Sequence, residues 1–172
     1  ERAVFAFEAL VRSSEPSLKG PLDLLDAAER LGRLHDLGRR IRDRVARGAS
    51  EAPKDAVLFV NLHAVDLNDV ELLSPTSPLA AIASQVVLEI TERASLHGVN
   101  GLAAKVGKLR QLGFRIAIDD LGAGYAGLSS FTQLEPEFVK LDMSLVRGVD
   151  KDARKRSVVR AMCYRISHPE TL

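Results

Sequence analysis

The stretch FRIAIDDLGAGYAG, residues 114–127, decides how this chain folds. Phe114, Ile116 and Ile118 recur at every second position with Arg115 and Ala117 between them, which puts the large apolar side chains on one face of a strand. The run ends in two adjacent carboxylates, Asp119 and Asp120. Gly122, Gly124 and Gly127 then let the backbone turn without Cβ clashes, and a helix can start within residues 125–131. Such a strand delivers charge at its C-terminal end, and two chemistries can use it. Gly122-x-Gly124-x-x-Gly127, with Asp142 twenty residues beyond the first glycine, matches a dinucleotide-binding pattern. Adjacent carboxylates would repel a pyrophosphate, however, and suit hard divalent cations, whose charge offsets their mutual repulsion. An exposed acidic turn before a helix N-terminus is the third reading.

The 172 residues suit one domain with a real core, and 46% hydrophobic and 27% charged residues are ordinary for a globular chain. A net charge of +1 gives no basic field for a nucleic-acid duplex or an anionic membrane. No apolar run approaches the ~18 residues of a membrane span, and no signal-peptide pattern opens the chain, so a soluble, cytoplasmic domain is expected. It could still be the cytoplasmic part of a larger, membrane-anchored protein. The single cysteine, Cys163, excludes an intrachain disulfide and a cysteine-cluster zinc site.

Working outward, AVFAFEAL (3–10) is a short apolar strand carrying Glu8 near its end, a carboxylate costly to bury unless paired or metal-bound. Residues 21–47 are helical in period, with Pro21 in a first-turn position and Gly32 separating two helices or bending one. The arginines between Arg39 and Arg47 are expected on a solvated face. VLFVNL (57–62) ends in Asn61, and the neighbouring His63 lacks metal-ligand spacing to the other histidines and is read as structural. Residues 66–83, broken by Pro75 and Pro78, are irregular. VVLEI (86–90) carries Glu89, with Glu92 just beyond. A helix capped by Asn100 runs to Leu112 and stops at Gly113. FVKLD (138–142) places Lys140 inside a strand, which is uncommon unless the lysine snorkels or meets a carboxylate. A last helix spans residues 151–163, its charged start expected to face solvent.

Strands alternating with helices imply βα units, a parallel sheet and an α/β fold. In every strand the unusual polar residue lies at or near the C-terminal end: Glu8, Asn61, Glu89, Asp119 with Asp120, and Lys140 with Asp142. In a (β/α) barrel those ends converge on one face. Solvated strand ends would not need Asn and Lys among the carboxylates, so the collective pattern favours a metal site.

FEALVR, VNL, LEITE, IDDLGAGYAGLSSF and FVKLD, in this order, resemble the successive motifs of the EAL-domain cyclic di-GMP phosphodiesterases, whose name matches the triplet Glu8-Ala9-Leu10. The resemblance covers residues 5–163 and treats the whole chain, 1–172, as a single domain of that type. It implies a modified TIM barrel and Mg²⁺- or Mn²⁺-dependent hydrolysis of one phosphodiester of cyclic di-GMP. It assigns Glu8, Asn61, Glu89, Asp119 and Asp120 as ligands to two ions. Lys140 and Asp142 match catalytic positions, Leu10 and Arg12 substrate-contacting positions, and Glu92 a residue that holds the loop after the Asp-Asp pair. Homodimers and fusion to sensory or cyclase domains are common in that family.

The family's first strand, with its Gln-Pro segment, and its later Glu-Gly-Val-Glu and Gln-Gly motifs are not recognisable here. The barrel is therefore incomplete as the chain stands, and the intact site motifs favour further residues in a longer protein. Leu121 stands where many relatives have Phe. A cyclic di-GMP receptor without hydrolysis is the alternative function, and a nicotinamide-dependent oxidoreductase rests on the glycine pattern alone.

Overall fold

The computed structural model describes residues 4–91, 96, 99–122 and 127–167. Five strands, β1 (Ala6–Ala9), β2 (Val57–Asn61), β3 (Val86–Thr91), β4 (Arg115–Leu121) and β5 (Phe138–Leu141), pair in sequence order, every pair parallel. Helices α1 (Pro21–Arg30) and α2 (Leu34–Gly48) join β1 to β2. Two short 3₁₀ turns, Ala64–Asn68 and Ala80–Gln85, replace a helix between β2 and β3. Next come α3 (Leu102–Gln111), α4 (Gly127–Leu134), the single turn α5 (Met143–Val146) and α6 (Ala153–Ser167). The expected parallel α/β architecture is what forms, as a curled half-barrel.

The alternation seen in residues 114–118 holds across the sheet and separates two layers. Leu58, Val60, Leu88, Ile90, Ile116 and Ile118 face outward into the main core with Val106, Leu109 and Leu134. Each fully buried Ile or Leu contributes roughly 1.5–3 kcal/mol. On the concave side a smaller layer of Val57, Val87 and Ala117 packs with Ala6, Phe59 and Phe138. Phe59 meets Phe138 edge-on at 5.5 Å, and the Arg115 guanidinium lies 5.5 Å from the Phe138 ring centre. One step further along each strand, on the same concave face, stand Glu8, Asn61, Glu89, Asp119 and Lys140.

Local chemistry explains most element ends. Pro21 opens α1, and Gly32, at φ +63°, breaks the helical run before α2. His63 caps the first 3₁₀ turn, its Nδ1 accepting from Val65 N–H at 3.3 Å, which is the structural role expected of it. Two expectations need correction. Gly101, at φ +66°, rather than Asn100, is the N-cap of α3. The charged start of α6 is not simply solvated: Lys155 Nζ donates to Ser144 O (2.6 Å) and Arg147 O (2.9 Å), tying α6 to α5.

Candidate metal and phosphate site

The register of β4 and β5 shows where the two aspartates stand. Ile118 pairs with Val139, but the next pairing is Leu121 with Leu141, so two residues, Asp119 and Asp120, stand opposite Lys140 alone. Ile118 and Leu121 both face the outer core. The extra residue is a β-bulge, and Asp120 carries it at φ +55°, a left-handed conformation that aspartate tolerates better than most side chains. Asp120 N–H donates to Asp119 Oδ1 at 2.9 Å, fixing that carboxylate at the bend.

Gly122 completes the turn at φ +101°. A Cβ there would lie 2.2 Å from Leu145 Cδ1 and 2.9 Å from its Cγ, so α5 is seated directly against the end of the aspartate strand. Gly122→Ala is therefore expected to destabilise the fold by about 1–3 kcal/mol, through backbone strain and overpacking together. Urea denaturation measures this, and an unchanged midpoint would show that Leu145 simply swings away.

Lys140 sits at the centre of the site. Its Nζ is 2.8 Å from Glu89 Oε1, 3.4 Å from Asp119 Oδ1 and 3.5 Å from Glu8 Oε2. Glu8 and Lys140 belong to the first and fifth strands, which in a flat sheet would lie ~19 Å apart at the usual strand spacing. Their contact shows how strongly the sheet curls. Asn61 Nδ2 donates to Glu8 Oε1 at 3.1 Å, leaving the amide oxygen as the atom suited to a hard cation. Glu89 is 0% exposed and pairs with the Lys140 ammonium through Oε1.

The charges are mismatched. Burial raises the Glu89 carboxyl above the ordinary carboxylate range; Lys140 opposes this, while Asp119 and Glu8 reinforce it. Burial works to lower the Lys140 ammonium, but Glu89, then Asp119 and Glu8, outweigh it and hold it well above its usual value. Among the described residues, three carboxylates meet one ammonium. An oxygen-rich set of carboxylates with one amide, one of the carboxylates buried, fits a hard divalent cation.

A cleft of about 860 Å³ adjoins this cluster and shares Asn61 with it; Leu10, Thr91, Pro21, Leu25 and Ile41 also line it. Leu10 thus reaches the ligand-sized space. Arg12 is exposed, with Nη1 donating to the neighbouring Val11 O at 2.9 Å. Asp142 caps α5, its Oδ1 accepting from Ser144 N–H at 2.8 Å, and its own N–H bonds Leu121 O. Glu92 and residues 123–126, which include Gly124, lie outside the described residues.

One group of charged residues contradicts its expected exposure. Arg42 is only 5% exposed and pairs with Asp66 (3.2 Å) and Asp69 (2.5 Å), while Arg39 pairs with Asp69 and Glu71. Gly38 makes room: a Cβ there would come within 2.6 Å of Asp66 Oδ1. A glycine one turn before a helical arginine, and Asp66 and Asp69 one turn apart, are the signals that could have revealed it. His35, Asp66 and Asp69 also bring potential ligand atoms within 4.8 Å of one another. Both of these carboxylates are already neutralised by guanidinium groups, so this group is an ion-pair network joining α2 to the segment after β2.

The sequence pattern of the EAL domain matches residues 1–168. The probable cyclic di-GMP phosphodiesterase PdeG of Escherichia coli is 30% identical over 167 residues, covering 88% of this chain and 32% of that protein. The blue light- and temperature-regulated antirepressor BluF of the same organism is 26% identical over 180 residues, covering 94% and 41%. The structure of Klebsiella pneumoniae BlrP1 in a manganese and cyclic di-GMP complex superposes with a TM-score of 0.75 at 28% identity, covering 91% of this chain and 41% of that one. The chain spans between 20% and 41% of the length of these and similar curated relatives. Among the described residues no helix is long and apolar enough to cross a membrane. With the match running almost from end to end and the half-barrel superposing on a solved relative, this chain belongs to the EAL domain family.

Proposed function

We propose that this chain carries the metal- and phosphate-binding side of a site that hydrolyses cyclic di-GMP to its linear dinucleotide. The observation that carries this reading is the convergence of Glu8, Asn61, Glu89 and Asp119 from four strands around Lys140 from the fifth, with Glu89 buried. Glu8, Asn61, Glu89, Asp119 and Asp120 would hold two Mg²⁺ or Mn²⁺ ions. When bound, such ions supply positive charge to the phosphate and make a water more acidic. Lys140 keeps its proton at Nζ and offers a fixed positive charge to the phosphate as the phosphorus–oxygen bond to the leaving group breaks. Asp142 holds the end of β5, and so Lys140, through its cap on α5. Leu10 meets the ligand in the cleft beside Asn61, and Arg12, exposed two residues further on, offers its charge to a ligand phosphate. The relatives named for cyclic di-GMP support the substrate class. A homodimer and joined sensory or cyclase domains belong to this proposal too, the joined domains supported by the 20% to 41% share of its curated relatives that the chain spans.

Purified protein is expected to convert cyclic di-GMP to the linear dinucleotide in Mn²⁺ or Mg²⁺. Conversion should be abolished by a chelator and by Asp119→Ala, as followed by chromatography. A relative named as an antirepressor favours a second reading, a regulatory module without turnover, for which a non-hydrolysing cyclic di-GMP receptor is the testable form. Binding with no product at saturating Mn²⁺ would select it.

A further inference from the structure

We infer that His63 is a further substrate-contacting residue, whose Nε2–H, on the far side of the ring from the cap it forms, donates to a phosphate oxygen of a nucleotide held in the cleft beside Asn61. This rests on the cyclic di-GMP reading proposed above and names one more residue that would grip that ligand. His63 stands two residues beyond Asn61 at the end of β2, and both line the cleft of about 860 Å³. The residue is exposed rather than packed into the core.

The ring is oriented by its own turn. Nδ1 accepts from Val65 N–H at 3.3 Å, which assigns the proton of the neutral ring to Nε2 at the opposite edge. A cap alone does not require histidine, since Ser, Thr, Asp and Asn cap with shorter side chains. Histidine adds a donor held beyond the cap, its direction fixed by the nitrogen that makes the cap. The charge of the cleft gives that donor a task. Helix α1 contributes Asp23, Asp26 and Glu29 to the lining, and among the described lining residues there is no lysine or arginine. An anionic phosphate is repelled from that wall and settles at the opposite end, where the donors are. The side-chain donors of the described lining are Asn61, His63 and Thr91. Asn61 Nδ2 already donates to Glu8 Oε1 at 3.1 Å, and Thr91 offers a short hydroxyl. His63 is the donor with reach, next to the amide oxygen suited to a cation.

Two substitutions separate the cap from the donor. His63→Asn keeps the cap, because Oδ1 takes the place of Nδ1, and removes only the far nitrogen. His63→Gln carries an amide nitrogen to about where Nε2 stood and loses the cap. Initial rates on cyclic di-GMP in Mn²⁺, or calorimetric binding where no product forms, are compared with the Tm of each protein and its rise on adding Mn²⁺. His63→Asn is expected to keep the native Tm and the native response to Mn²⁺, and to raise KM or Kd about five- to tenfold with kcat little changed. His63→Gln is expected to melt lower yet to stay within about twofold of the native KM or Kd. An unchanged value in His63→Asn overturns the inference, and so does a rise in both variants that follows the loss of Tm. A weakened Mn²⁺ response in His63→Asn also overturns it, by placing the effect at Asn61. Native protein that neither binds nor cleaves cyclic di-GMP overturns the functional reading and this inference with it. Should the variants not fold, labelling of the native protein by diethyl pyrocarbonate, read at His63 by peptide mass, decides the matter. Cyclic di-GMP is expected to slow that labelling several-fold, and an unchanged rate overturns the contact.

Discussion

Glu89→Gln is expected to remove the stabilisation that Mn²⁺ gives the native protein and to lower cyclic di-GMP hydrolysis by roughly three orders of magnitude or more. Glutamine keeps the shape of the side chain but offers a neutral amide where a buried carboxylate stood, and it halves the number of oxygens available to a cation. The β3 backbone that presents this position is held by Leu88 and Ile90 in the outer core, so the fold itself should survive. The native protein should also show a pH signature. Burial holds the Glu89 carboxyl above its ordinary range, so the metal-free form retains that proton to higher pH than an exposed glutamate would. An acid whose pKa is raised on folding carries no penalty below its unfolded value of 4.5, and the penalty grows as pH rises through the folded value. A cation that requires the charged carboxylate is bound with proton release. The rise in Tm on adding Mn²⁺ should therefore increase as the pH is raised above 4.5 in the native protein and stay flat in Glu89→Gln, as thermal scans can check. A native response independent of pH would place the cation away from Glu89.

β2, β3 and β4 were legible because each is a compact apolar run in which one large side chain every two residues faces the outer core, whereas Phe5 and Phe7 of the first run stay exposed. The site was legible because its members interrupt those runs with groups that an apolar surface does not tolerate alone. Lys140 is the clearest case: a lysine inside FVKLD demanded a carboxylate, and it meets three. What could not be read depends on partners distant in the chain. The bulge at Asp119 and Asp120 exists only relative to the register of β5, and nothing in IDDLG announces that two of its residues will oppose one. The seating of Leu145 on Gly122 likewise needs α5 in place. Arg42 was missed for a related reason. Arginines at helical spacing usually face water, and only the combination of Gly38 below and two aspartates on another segment makes one of them internal.

Arg42→Ala is expected to cost about 3–5 kcal/mol of stability, because it leaves buried carboxylates short of the cation that makes them tolerable. Asp66 and Asp69 are 3% and 2% exposed, so solvent cannot replace the guanidinium. The two acids should respond differently. Burial pushes Asp69 upward too, but the Arg39 bond, the Glu71 N–H and then Arg42 outweigh it and hold its carboxyl below the usual range. In the variant Asp69 still has Arg39, with Nη2 2.7 Å from Oδ1. Asp66 already lies above its usual range, because burial outweighs Arg42, and it loses its strongest counter-charge. Protonating Asp66 relieves part of the loss, so the destabilisation should be greatest at neutral pH and shrink as the solution is acidified. Urea denaturation at pH 7 and at pH 5 distinguishes this from a packing effect, which would cost the same at both. Replacing Asp66 by leucine in the same chain should recover much of the stability, since the stranded charge is then gone. The effect should also reach the site. Arg42 anchors α2 to the segment that begins at His63, two residues beyond Asn61, and Gly38, Ile41, His63 and Asp66 all line the cleft. A wall that loosens there releases the amide holding Glu8, so Mn²⁺ affinity should fall together with stability, whereas Arg42→Ala with metal affinity unchanged would confine the network to the fold alone.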